Sequence, residues 1–135
     1  MRRFFCVTYT RQRDRLPLDA MQAQAANWIA EHPEYHAELA DADAAVAASY
    51  SVEEGRTNPF LHLSMHLSIA EQVAIDQPTG IRQAVQLLAA RRQSLHAAHH
   101  EVMECLGDML WRSQRSGLPP DGLAYLDAVR ARATR

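Results

Sequence analysis

Lysine is absent from this chain; all fourteen basic residues are arginine. Alanine is abundant at the same time, and a GC-rich coding sequence explains both biases more simply than a functional demand for guanidinium. Cysteine is scarce. Cys6 and Cys105 lie far apart and form no Cys-x-x-Cys pair, as expected of a cytosolic protein with reduced thiols. Glycine is also scarce, five residues in 135, and that scarcity beside plentiful Ala and Leu points to an all-helical protein. No stretch approaches the roughly 20 apolar residues of a membrane span. No Gly-rich phosphate loop and no Gly-x-Ser-x-Gly element is present.

Charge excludes further classes. The formal net charge of -2 gives no signal for nucleic acid or for a membrane surface. The distribution is uneven: residues 1–15 carry five arginines against Asp14, a net +4, which leaves -6 for the rest. Arg2 and Arg3 precede an apolar run from Phe4 to Val7, but the run is short and has no small-residue cleavage site. A secretory signal is therefore rejected.

The length suits a single helical domain over 1–135, folded as one compact bundle of about five or six helices. Residues 1–16 form an N-terminal arm or short helix. Pro17 opens a helix over 17–31 whose buried stripe is Met21, Ala25, Trp28 and Ile29. His32-Pro33 breaks it, because a residue before proline resists the α conformation. Short helices follow over 33–40 and 41–50, then a loop over 51–57. Asn58-Pro59 is the clearest helix start, a capping side chain followed by proline at the first helical position. That helix runs to Gln77 and stops at Pro78. Residues 81–116 form one long segment that bends near 91–94 and ends at Gly117. Asp121 caps a last helix to about Ala131, burying Leu123, Leu126 and Val129.

Six of the seven histidines fall into three pairs with one spacing: His32/His36, His62/His66 and His96/His100. Chance placement gives roughly 0.3 such pairs by simple template counting. Side chains four apart on a helix lie one above the other, so each pair can aim two imidazoles at one point. Imidazole is the commonest protein metal ligand. His62 and His66 fall in the buried sector of their helix, while Ser64, Ser68 and Glu71 take the wet face. On the next long helix the column His96, His100, Glu104 borders the core, and Glu101, Asp108 and Arg112 face water. A buried Glu104 needs a cation or a metal. His99 reads as core. Gly107 in mid-helix implies close helix packing there.

The expected metal ligands are His62, His66, His100 and Glu104, with His96 and His36 as second choices, and the ion is zinc or iron. The competing interpretation is a set of buried histidines satisfied by hydrogen bonds, with no metal. Pro33 counts against His32/His36 as a ligand pair. No catalytic residue is identified. Cys105 lies away from the histidine column, and Ser64 and Ser68 lie away from His62, so no nucleophile–base pair forms locally. A non-catalytic alternative rests on the arm: Arg2, Arg3, Phe4 and Phe5 either dock on a protein partner or a second subunit, or anchor the N-terminus to the core.

Several runs are distinctive: Asn58-Pro-Phe-Leu-His-Leu-Ser-Met-His-Leu-Ser-Ile-Ala-Glu-Gln72, Ile75-Asp-Gln-Pro-Thr-Gly-Ile81, His32-Pro-Glu-Tyr-His36, Met103-Glu-Cys-Leu-Gly-Asp-Met-Leu-Trp111 and Gly117-Leu-Pro-Pro-Asp121. Together they resemble a bacterial family known as a domain of unknown function, numbered eighteen forty-one, over about residues 1–130. The resemblance implies a small, mainly helical, cytosolic bacterial protein with a helical N-terminal arm, and it implies no activity. A weaker likeness is to hemerythrin-type di-iron bundles, whose His-x3-His and His-x3-Glu elements are matched by His62/His66 and His100/Glu104. Their His-x4-Asp element is missing here, as are ferritin-like Glu-x2-His pairs.

Overall fold

A computed structural model describes residues 1–50 and 58–135. Among these residues every regular element is helical, and there are eight α-helices where five or six were expected. The excess over six has two sources: the N-terminal arm is itself a helix, and the 81–116 segment divides in two. The expected loop over 51–57 lies outside the described residues. The chain separates into two compact units, residues 1–67 and 68–135, and the boundary falls inside one helix.

The first unit contains α1 (Arg2–Arg13), α2 (Ala20–Ala30), a 3-10 turn (Pro33–Tyr35), α3 (His36–Leu39), α4 (Ala42–Ala47) and the opening turns of α5 (Pro59–Ile75). Helix α2 begins at Ala20 rather than at Pro17 because Asp19 and Gln22 form a capping box. The Asp19 carboxylate accepts the Gln22 amide at 2.7 Å, and the Gln22 side chain accepts the Asp19 amide at 3.0 Å. Asn58 caps α5 as the sequence implied, its side-chain oxygen accepting the Phe60 and Leu61 amides at 3.0 and 3.2 Å.

The core of this unit joins Phe5 and Cys6 of α1, Ala25, Trp28 and Ile29 of α2, Leu39, Ala45, and Phe60, Leu63 and Leu67 of α5. Met21, expected in that stripe, is exposed. The arm is anchored. Phe5 is fully buried, and the Arg2 guanidinium donates to the Ala45 and Ala48 carbonyls at 2.9 and 2.8 Å. It thereby satisfies carbonyls at the C-terminal end of α4 that helix geometry leaves without internal partners. The same cation lies 5.3 Å from the Tyr50 ring centre and 5.5 Å from that of Phe60.

The second unit contains the rest of α5 with α6 (Ile81–Arg92), α7 (Leu95–Ser116) and α8 (Gly122–Ala133), and the last three pack pairwise. The reversal after α5 is built by side chains. Asp76, at a left-handed φ of 54°, accepts the Gly80 and Arg82 amides, while Arg82 donates back to the Val73 and Ala74 carbonyls. Gln93, also left-handed at φ 55°, ends α6, and Ser94 caps α7 through the Ala97 amide. The bend expected near 91–94 is thus a true break. Gly117 closes α7 with φ 73°, and Asp121 caps α8. Leu123, expected inside, is 75% exposed, and Tyr125, Leu126, Val129 and Ala133 form the buried face of α8 instead.

Gly107 serves no close approach, since a Cβ built there meets nothing within 4 Å. The close packing inferred from it is corrected.

Candidate metal centre

His62 and His66 are four apart on α5, so their rings share a face, as the spacing required. Their Nε2 atoms are 3.1 Å apart. His66 is fully buried, its ring stacked on the Trp28 indole at 4.2 Å with 9° between planes. His62 is half-buried.

The third histidine is His32, which sequence reasoning set aside. Pro33 does break the helix, and that break carries the His32 ring off the end of α2 toward α5. The His32 Nδ1–H donates to the Trp28 carbonyl at 2.7 Å, so in the neutral ring Nε2 carries a lone pair. That Nε2 stands 3.0 Å from His62 Nε2. Tyr35 stacks on the His32 ring, 5.2 Å between centres and 2° between planes, which fixes the ring's plane as the carbonyl fixes its tautomer. Burial raises the Tyr35 phenol above its ordinary pKa, with Glu34 and Glu38 adding to the effect. The signal for His32 was its pairing with His36; it was outweighed by a rule about helices, although ligands need not share one.

Three Nε2 atoms of one unit therefore converge, each within 4.8 Å of the others. Both contacts have hydrogen-bond length, with donor and acceptor set by the tautomers, and nitrogens gathered this closely could also hold a metal ion. A ligating imidazole whose other nitrogen donates to a backbone carbonyl is the usual outer arrangement of metal sites.

The other expected residues have different surroundings. His36 sits on α3 with its Nε2–H donating to the Ile29 carbonyl at 2.9 Å and its ring 4.9 Å from Tyr9, so that nitrogen is committed to structure. His96 and His100 lie side by side on α7 with ring centres 4.4 Å apart. Glu104 is corrected: its side chain is 64% exposed and pairs with Arg132 at 2.8 Å, so it is no buried carboxylate in want of a cation. Glu101, expected in water, is more enclosed, with Arg92 donating to it at 2.6 Å and holding its carboxyl below the usual range. His99 is buried as expected, and burial together with His100 and His96 lowers its pKa to about 4.

The second unit also holds a cleft of about 340 Å³ between α7 and α8, lined in part by Cys105, Asp108, Arg112, Ser113 and Tyr125. Its polar groups are already engaged: Asp108 with Arg112, the Ser113 hydroxyl with the Leu118 carbonyl, and the Tyr125 hydroxyl with Gln72. Burial pushes the Cys105 thiol up, the wrong direction for a nucleophile.

The fold and this cluster define a class: an all-helical protein that gathers imidazole nitrogens at a proline-broken helix end. The chain belongs to the family described as Domain of unknown function (DUF1841), which matches residues 1–131. No curated protein and no solved structure matches it. No helix among the described residues is long and apolar enough to cross a membrane.

Proposed function

We propose that this protein binds one transition-metal ion, zinc or iron, through the Nε2 atoms of His32, His62 and His66, in a reducing cytosolic setting. One observation carries the proposal. Three imidazole nitrogens meet at 3.0 and 3.1 Å, and the outer nitrogen of His32 is tied to a backbone carbonyl. His100, whose place in the ligand set rests on the sequence pattern, is proposed as a further nitrogen. Glu104 is left out because Arg132 holds it.

The experiment is elemental analysis of untagged protein beside a His62→Ala/His66→Ala variant and a His100→Ala variant. Near-stoichiometric zinc or iron that vanishes in the double variant supports the site. Retention of metal by His100→Ala limits the ligands to the three histidines of the first unit. Absence of metal in the parent protein after anaerobic loading refutes the proposal and leaves the cluster as buried polar groups.

A further inference from the structure

We infer that the cleft between α7 and α8 is a binding site for a compact, uncharged aromatic molecule. The inference is independent of the metal-binding proposal, because every residue lining the cleft belongs to the second unit.

Helix geometry explains why there is room. Cys105, Met109 and Arg112 recur at helical spacing and share one face of α7, while Ala124 and Ala128, four apart, share one face of α8. Alanine methyl groups are too short to fill the space between the two helices, and Leu118 and Pro119 of the connecting turn complete the lining. At about 340 Å³ the cleft stands at the lower end of small-molecule sites, which suits an occupant of one or two rings.

The chemistry of the walls selects the occupant. Asp108 pairs with Arg112 at 3.0 Å, and Asp121 accepts the Ala124 amide. The Ser113 hydroxyl donates to the Leu118 carbonyl, the Ser116 hydroxyl accepts the Leu118 amide, and the Tyr125 hydroxyl donates to Gln72. A charged ligand has to compete with these partners, and so does water inside the cleft. Displacing poorly held water by an apolar group raises affinity. What the walls offer without competition is sulfur and an aromatic ring. Cys105 is a free thiol, 6% exposed, and among the described residues its S–H donates no hydrogen bond. Burial raises its pKa and so keeps it protonated. Met109 adds a thioether one turn along, and Tyr125 adds its ring. Polarizable sulfur prefers aromatic to saturated carbon, and a buried ring favours edge or offset contact with a second ring.

The test titrates phenol into the full-length, isotope-labelled protein and reads amide chemical shifts, with cyclohexanol as the saturated counterpart. The expected result is a set of shifts confined to the residues lining the cleft and saturating at one phenol per chain. Cyclohexanol should bind about threefold more weakly, the factor conferred by one sulfur–aromatic contact; equal affinity overturns the aromatic assignment. Ala124→Leu and Ala128→Leu lengthen exposed side chains into the cleft. Each should weaken phenol binding about tenfold while the remaining amide signals stay in place, and undiminished binding in both overturns the location. In the parent protein alone, shifts that do not saturate or that scatter over both units overturn the inference, whether or not the variants fold.

Discussion

Replacing His66 separates the imidazole's packing from its ligation. His66 is fully buried and stacked at 4.2 Å on Trp28, so His66→Ala opens a cavity whether or not metal is present. Large-to-small changes at such sites cost about 3 kcal/mol. A metal that binds only the folded protein, at a free concentration a hundredfold above its dissociation constant, adds about 2.7 kcal/mol of stability. His66→Ala should therefore lose about 3 kcal/mol in chelator and about 6 kcal/mol in metal-replete buffer. His66→Phe keeps an aromatic ring beside Trp28 and removes the nitrogens. It should lose about 1 kcal/mol in chelator, within the range for shape-conserving exchanges, and about 4 kcal/mol with metal present. Chemical denaturation with matched chelator and metal arms measures all four values. Equal losses in the two buffers, for both variants, would refute ligation by His66.

Three further outcomes are expected. His99 has its pKa lowered to about 4 by burial and by neighbouring His100 and His96, so the unfolded chain binds the proton more readily. Stability is then complete above about pH 6.5 and falls as pH drops toward 4, by up to about 3 kcal/mol; His99→Gln should flatten that slope in urea titrations across the window, and an unchanged slope would disprove the assignment. Arg2→Ala removes two hydrogen bonds to carbonyls and a cation over two rings, and should cost about 2 kcal/mol in denaturant unfolding, whereas a loss below the measurement error would show that α1 is held by Phe5 alone. Gly80→Ala and Gly107→Ala should move in opposite directions. The first forces a Cβ at φ 101° to within 2.7 Å of Arg130 and should destabilise by about 2 kcal/mol. The second fills open space in α7 and should stabilise by about 1 kcal/mol. Thermal melts of both variants decide it, and shifts of the same sign would contradict the local geometry.

The local signals in the sequence were sufficient for much of the helical layout. Asn58-Pro59, Gly117 and Asp121 each act through their own backbone or side chain within a few residues, so their roles as cap or stop needed no tertiary knowledge. The shared face of His62 and His66 is legible for the same reason, because a helix repeats every 3.6 residues. The break at 93–94 was legible as a lapse in periodicity but not as a helix end, since Gln93 adopts its left-handed conformation without being glycine. Surface assignments near helix margins failed at Met21 and Leu123, where the direction of packing decides burial and the wheel alone does not.

Only the tertiary structure decided which of the histidines stand together. His32 joins His62 across thirty residues of chain because the proline-broken end of α2 faces α5, and no spacing rule encodes that approach. The surroundings of Glu104 were hidden for a parallel reason: Arg132, twenty-eight residues later on α8, reaches its exposed carboxylate. Repeating patterns fix which side chains share a helix face, because that follows from backbone geometry. Which faces meet, and whose charge answers whose, is settled by the packing of elements distant in sequence.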